Sequence, residues 1–177
     1  FGANSTGAQT VTVATGADNL VELNETLSLI LSSLSTSGRD VIFTGSASTI
    51  TGGGTITNDD QAVVSISTES ESEGTSLSYT VSISNPVDVS VSATSNTADG
   101  TALAASDYTA ISGGTVTFGA NSTGDQTVTV ATGADNLVEL NETLSLILSS
   151  LSATGRDVIF TGSASTITGG GTITNDD

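Results

Sequence analysis

Three carboxylates stand close together in a stretch that leads into an apolar run. The stretch GADNLVELNETLSLIL carries Asp135, Glu139 and Glu142 within eight residues, and the acidic sequence NDD follows at residues 175–177. Carboxylate and amide oxygens, without histidine or cysteine, are the ligands of a hard cation such as calcium rather than of zinc. An ionised carboxylate beside a core is costly unless it is paired or bound to a metal. Because the chain has two arginines and no lysine, these side chains predict a calcium site.

The alternation that starts at Glu142 predicts the element that positions this site. Side chains at every second position of a strand point to the same face, so Glu142 shares its face with the three leucines that follow it at alternate positions. We expect these leucines in the core and Glu142 at the rim of that core. The same stretch occurs, letter for letter, at residues 16–31, so the arrangement is repeated.

The repetition extends over sixty residues and defines the domain organisation. Residues 1–60 recur as residues 118–177, an offset of 117 from Phe1 to Phe118, with three differences. A repeat of this length suits a sandwich domain and is too long for one turn of a solenoid. We therefore expect one complete repeat at residues 61–177, and we expect residues 1–60 to be the C-terminal half of a preceding repeat.

Apolar residues within the complete repeat recur with a period of two, which is the pattern of strands with one wet face. The predicted strands cover residues 62–67, 76–84, 87–93, 115–118, 126–131, 142–150 and the segment 163–174. They predict an all-β fold, an antiparallel β-sandwich of about seven short strands in tandem repeats. The glycine triplet at 169–171 would weaken the last strand, so we expect a β-bulge there.

Charge and composition exclude several classes of partner. The net charge of −17 repels nucleic acid phosphates and anionic lipid, so no nucleic acid partner is expected. No apolar run approaches the roughly 18 residues that span a bilayer, so no membrane insertion is expected either. The chain has no cysteine, which excludes disulfides and thiolate metal sites. It begins without a signal peptide and is expected to be an internal piece of a longer protein.

Four motifs together give the complete repeat a family resemblance. These are SEGTSLSYTVSI (72–83), DGTALAASDYTAISGGTVTF (99–118), DNLVELNETLSLIL (135–148) and TITNDD (172–177). They resemble the Calx-β domain of sodium/calcium exchangers, an integrin β subunit and large bacterial surface proteins. The resemblance covers residues 61–177 and, in residues 1–60, the second half of the domain. It implies a seven-stranded, immunoglobulin-like sandwich that binds Ca2+ at one end.

The resemblance also implies a ligand set. In the complete repeat, the positions that match the family's calcium ligands are Glu73, Asp107, Asp135, Asn136, Glu139, Glu142, Asn175, Asp176 and Asp177. In the first half-repeat they are Asp18, Asn19, Glu22, Glu25, Asn58, Asp59 and Asp60, and the partners of Glu73 and Asp107 are absent there. Ala134 and Asn175 stand where strong calcium binders tend to carry aspartate, which implies fewer or weaker ions.

Three classes of function remain to be weighed. The leading hypothesis is a calcium-binding structural repeat, a stalk or extender module of a large adhesin or filament protein that is secreted or displayed on a bacterial cell surface. Its partners would be neighbouring repeats or other copies of the chain, including by strand exchange. The alternative is a calcium-dependent module that binds carbohydrate or protein. An enzyme is not expected, because without histidine or cysteine only a carboxylate pair of glycosidase type is open, and few aromatics exist to line a sugar groove.

Overall fold

The computed structural model describes residues 1–177. They form two compact units, one made of residues 1–18 and 26–56, the other of residues 19–25 and 57–177. The border at residue 60, which the repeat suggests, is therefore not the border of packing, because residues 19–25 and 57–60 pack with the second unit. The chain contains no helix that is long and apolar enough to cross a membrane.

The first unit is a two-stranded sheet with little core. β1 (Glu25–Ser32) pairs with β2 (Thr49–Ile56). Leu27 and Leu29, on one face of β1, are only half-buried, and Val13 stays 49% exposed although its repeat counterpart Val130 is fully buried. The same sequence thus lacks here the opposing strands that cover it in the second unit.

The second unit is a sandwich of nine strands in two sheets. In chain order the strands are β3 (Ala62–Ile66), β4 (Glu69–Ser72), β5 (Leu77–Ile83), β6 (Val91–Asp99), β7 (Gly114–Phe118), β8 (Gln126–Val130), β9 (Glu142–Ser152), β10 (Val158–Phe160) and β11 (Ile167–Thr174). One sheet has the order β10-β3-β5-β8, the other β4-β11-β9-β6-β7. The predicted all-β sandwich is confirmed, with the alternating side chains of β5 and β9 buried between the sheets.

Two short edge strands account for the difference between nine strands and the implied seven. β4 pairs in parallel with β11, and β10 pairs in parallel with β3, so the sheets are mixed where an antiparallel sandwich was expected. The pattern of apolar residues could not show β4, because its sequence ESES is entirely polar. β10 has three residues, too few for an alternation to be visible.

The third strand begins later than its valines predict. Alternation predicts a strand over 87–93, but β6 begins at Val91 and continues to Asp99. Val87 instead forms an isolated bridge with Val21. The polar second half of β6 is held as a strand by β9, which pairs with it from Ser95 to Asp99, whereas β7 pairs only with residues 91–95. These are tertiary contacts that local pattern does not encode.

The predicted bulge at the glycine triplet is wrong. β11 pairs with β9 in unbroken register from Ile167 opposite Leu148 to Ile173 opposite Glu142. The glycine at 171 allows a close approach instead, since a Cβ there would collide with the hydroxyl oxygen of Tyr79 from the opposing sheet. The irregularity lies in β6, whose register against β9 shifts between Ser92 and Thr94.

Candidate metal centre

Four segments of the second unit meet at one end of the sandwich. Glu73 follows directly after β4, and Asp107 lies in the loop after β6. Asp135 and Glu139 lie in the loop between β8 and β9, and Glu142 is the first residue of β9. The residues after β11 complete the group. Each carboxylate therefore lies at a strand end or in a loop that joins two strands, and these strand ends and loops meet at the same end of the sandwich.

Short backbone hydrogen bonds fix three of these segments to one another. Gly74 donates to the carbonyl of Gly133 at 2.7 Å, and Gly133 donates to the carbonyl of Asp107 at 2.7 Å. Gly74 has a φ of +70°, and a Cβ there would lie 2.9 Å from the Cβ of Ala134, so the position requires glycine. Glu73 itself donates its N–H to the carbonyl of Thr174 at 3.1 Å, which ties it to the end of β11.

The loop that carries Asp107 is anchored on β9 next to Glu142. Ala102 donates its N–H to the carbonyl of Thr143 at 2.9 Å, and a Cβ on Gly100 would lie 2.5 Å from that same oxygen. The phenol of Tyr108 donates to Asp99 at 2.5 Å and closes the other side of the loop. Asp107 is in turn held by the N–H of Leu103, which donates to its carboxylate at 2.6 Å.

The result is a compact acidic cleft. Carboxylate oxygens of Glu73, Asp135 and Asp177 all lie within 4.8 Å of one another. The cleft beside them is lined by Glu73, Ser106, Asp107, Gly133, Asp135, Glu139, Glu142 and Ile173. A set of oxygens this dense, on loops tied together by backbone hydrogen bonds, has the donor chemistry of a hard divalent cation.

Desolvation, followed by mutual repulsion within the cluster, raises the pKa of two glutamates. Desolvation is the largest cause for Glu73, and the negative charges of Asp135, Asp176, Asp177 and Glu139 raise its pKa further. Desolvation also raises the pKa of Glu142, followed by the charge of Asp107 and a hydrogen bond with it.

The pKa of Asp107 is lowered, chiefly by the N–H of Leu103 and also by Ser106 and Glu142. The pair thus favours a proton on Glu142 and a charge on Asp107. A cation at this position would relieve the same repulsion.

The chain's two arginines are engaged elsewhere. Arg156 forms a two-point contact with Asp88 through its Nε and Nη2, each at 2.6 Å, and this hydrogen-bonded partner lowers the pKa of Asp88. Arg39 donates to the carbonyl of Ser37. Since the chain has no lysine, these contacts leave the cluster without a protein cation to balance it.

The asparagines of the predicted set have different positions. Asn175 accepts the N–H of Glu139 at 2.8 Å on its Oδ1 and donates from Nδ2 to the carbonyl of Asp177 at 3.0 Å, so it clamps the loop to the C-terminal triplet. Asn136 is exposed in the bend that follows Asp135. Asp176 is exposed and faces Glu73 closely enough to influence its pKa.

Sequence reasoning missed Ser106 and Gly133, which line the cleft, and Ile173, which contributes an apolar surface. Gly133 begins the stretch that also occurs from residue 16, and that repetition was the one feature of the sequence that could have pointed to Gly133 as part of the cleft. Ser106 lies beside Asp107 in SDYT but has no pattern of its own.

The comparisons with known proteins address the fold. A protein-family model described as the Calx-beta domain matches residues 1–60 and 57–171. The chain belongs to the Calx-beta domain family. A search of curated proteins found no match to this Calx-beta chain.

Solved structures of similar fold include an apo-form Calx CBD1 domain, with 20% identity and a TM-score of 0.55. The alignment covers 67% of this chain and 100% of that one. The CBD12 structure from CALX1.2 has 19% identity and a TM-score of 0.57, over 65% of this chain and 46% of that one. The calcium binding domain CBD12 of CALX1.1 has 19% identity and a TM-score of 0.52, over 64% and 46%. This chain therefore spans about half the length of the two CBD12 proteins.

The first Calx-beta half-repeat reproduces the asparagine clamp. Asn58 accepts the N–H of Glu22 at 3.2 Å and donates to the carbonyl of Asp60 at 2.8 Å, as Asn175 does with Glu139 and Asp177. These residues pack with the second unit. Of the remaining predicted positions, Asp18, Asn19, Glu25 and Asp59 are exposed. Counterparts of Glu73 and Asp107 would precede residue 1, so the structure builds the clamp here without the rest of the cleft.

Proposed function

We propose that the second Calx-beta unit binds calcium in the cleft between Glu73 and Asp177, and that the chain is a repeated, calcium-stiffened spacer. The observation that carries the proposal is the group of carboxylate oxygens from Glu73, Asp135 and Asp177 within 4.8 Å of one another. These three side chains come from separate segments of the chain. Asp107, Glu139 and Glu142 line the same cleft and supply further oxygens.

The residues of the cleft would use the ion to reinforce the connection between loops that backbone hydrogen bonds already join. Calcium supplies a positive charge that accepts six to eight oxygen ligands in flexible geometry. Glu73 would bring the end of β4, Asp107 the loop after β6, and Asp135 the loop before β9. Because Asn175 already clamps that last loop to the C-terminal triplet, the ion would lock all of these strand ends together.

A spacer role is supported by the repetition itself. Residues 1–60 and 118–177 differ at three positions, as suits a module in which length and stiffness matter more than an individual surface. A catalytic role has less support, since the chain has neither histidine nor cysteine as base or nucleophile. We therefore place the chain in a large secreted or cell-surface protein, such as a bacterial adhesin or filament. Extracellular modules typically bind calcium with a Kd of roughly 0.1 to 1 mM.

Thermal unfolding in calcium, magnesium and chelator tests the proposal. With a Kd of about 0.1 mM and about 1 mM free calcium, binding to the folded state alone adds about 1.4 kcal/mol per site. Magnesium should add less, because it demands near-ideal octahedral geometry and loses its water reluctantly, whereas calcium accepts six to eight oxygens in flexible geometry. Equal melting curves in calcium and chelator would refute calcium binding.

The repeat provides a matched control for the site. Glu142→Gln removes a carboxylate that lines the cleft, whereas Glu25→Gln changes the same position of the first copy, which is exposed and has no counterparts of Glu73 and Asp107. By isothermal titration calorimetry, Glu142→Gln should weaken calcium binding by about tenfold or more, since hard cations depend on ligand charge. Equal affinities of the two variants would place the site elsewhere.

A further inference from the structure

One valine occupies two opposite environments in the two copies of the repeated stretch. Val21 is fully buried, whereas its counterpart Val138 is 77% exposed. The neighbours follow the same trend, since Leu23 is 53% exposed and its counterpart Leu140 is 87% exposed. The local sequence is identical over sixteen residues, so the difference comes from what lies against each copy.

The second unit itself covers Val21. Val21 donates its N–H to the carbonyl of Pro86 at 2.9 Å, and Asp88 donates its N–H to the carbonyl of Val21 at 3.1 Å. These bonds form a parallel bridge to Val87, and Val21 joins the buried core cluster that contains Val87, Val91 and Phe118. Residues 86–88 thus offer a groove with a backbone donor, a backbone acceptor and an apolar floor.

The groove is held in shape by contacts on its far side. Asn121 donates its N–H to the carbonyl of Val87 at 2.7 Å. The carboxylate of Asp88 is fixed by the guanidinium of Arg156. The groove is therefore a formed part of the complete repeat, and its occupant in this structure is the stretch that the sequence assigns to the preceding repeat.

We propose that Val138 does for the repeat that follows what Val21 does here, and that it docks into that repeat's groove at the positions of Pro86, Val87 and Asp88. We call Val138 in this role the plug. The occupant is a repeat in series rather than a separate copy of this chain, because the groove of a separate copy is already filled by its own Val21. An exposed run of Leu137, Val138 and Leu140 is otherwise unfavourable in water. The inference rests on the proposed tandem spacer but not on calcium binding.

The plug lies in the same acidic loop that contributes Asp135 and Glu139 to the cleft. Val138 directly precedes Glu139, whose N–H is held by Asn175, and Asp135 lies three residues before it. The loop that contributes to the cleft therefore also presents the plug, so the end of one repeat and the start of the next share one structural element.

Single cysteines test the proposal cleanly, since the chain contains none of its own. Two proteins are compared in calcium, the full chain and a longer chain in which a second copy of residues 61–177 follows Asp177. We expect Val138→Cys to react rapidly with a thiol reagent in the full chain and at least about tenfold more slowly in the longer one. Val21→Cys should react slowly in both proteins. Leu103 is 54% exposed and lies outside the loop between β8 and β9, so Leu103→Cys should react rapidly in both.

A second substitution keeps the test decisive. Val87→Asp, made only in the added copy, should remove the apolar floor of the new groove and restore rapid labelling of Val138→Cys. If Val138→Cys reacts equally fast in both proteins while the added copy shows its own unfolding transition, the plug is refuted. Protection of Val138→Cys without any calcium-dependent shift in melting would instead refute calcium binding and leave the plug in place.

Discussion

A Cβ at position 171 should destabilise the second unit. In Gly171→Ala the added carbon would collide with the Tyr79 hydroxyl and lie 3.0 Å from Leu77 Cδ1 and 3.3 Å from Leu144 Cγ. Tyr79 and Leu77 are fully buried, so neither can move into solvent. Overpacking of this kind costs about 1 to 3 kcal/mol. For a unit of this size we expect Tm to fall by about 4 to 12 °C, measured by calorimetry or circular dichroism.

Gly54→Ala is the matched control, because Gly54 occupies the same position of the repeat. The nearest atom to its added carbon is Leu27 Cδ1 at 3.3 Å, and Leu27 is only half-buried and free to shift. Both substitutions reduce the conformational entropy of the unfolded chain equally, so that term cancels. At low protein concentration Gly54→Ala should change stability by less than about 0.5 kcal/mol.

A double substitution identifies the clash itself. The Tyr79 hydroxyl is buried without a hydrogen-bond partner, and burial raises the pKa of Tyr79 to about 12. Tyr79→Phe should therefore be neutral or stabilise by up to about 1 kcal/mol. It should also recover part of the loss caused by Gly171→Ala, with a coupling energy of about 0.5 to 3 kcal/mol. Additive effects, or equal losses for Gly171→Ala and Gly54→Ala, would refute the close-approach explanation of the glycine triplet.

Three further predictions concern charge and assembly. In chelator, acidification from pH 7 to pH 5 should raise Tm, because the folded cluster raises the pKa of Glu73 and Glu142 above the ordinary glutamate value of roughly 4.3 and so binds protons more tightly than the unfolded chain does. In calcium the trend should reverse, since protons compete for the ligands; the same trend in both buffers would contradict a shared site. The lowered pKa values of Asp88 and Asp107 act only at more acidic pH. Arg156→Ala should lower Tm by roughly 3 °C through loss of its two-point contact with Asp88, whereas Arg39→Ala, at the same position of the first copy, should leave Tm unchanged in the same scans. Light scattering should show that the chain associates as its concentration rises, by exchange of strands between copies that covers the face of Leu27 and Leu29. Leu29→Asp should reduce this association and Ile30→Asp, on the opposite face, should not; association that is insensitive to both would exclude that face.

Alternation in the sequence was sufficient to predict the sandwich and much of its core. In β9 a strict period of two places Leu144, Leu146 and Leu148 on one face, and the structure buries all three. The same period places Glu142 at the edge of that face, beside the cleft. Local sequence was sufficient because the inward and outward sides of a strand are fixed by backbone geometry alone.

The sequence alone did not show which acidic residues lie close together. The resemblance gave a ligand set, but only the fold brings Glu73, Asp135 and Asp177 within a few ångströms, through sheet order and the hydrogen bonds among Gly74, Gly133 and Asp107. Whether these positions bind an ion remains a prediction. The role of Asn175 as a clamp was invisible in sequence, because asparagine in an acidic triplet offers the same oxygen whether it binds a cation or an N–H.

Other features depended on tertiary contacts alone. A glycine triplet in a strand is compatible with either a bulge or a close approach, and the packing of Tyr79 against Gly171 decides between them. The two copies of one stretch show most directly that local sequence does not determine burial. Identical residues bury Val21 and expose Val138, since burial is a property of the neighbouring surface. The sequence by itself determined which side chains alternate and which oxygens are available, and the tertiary structure decided which of them meet.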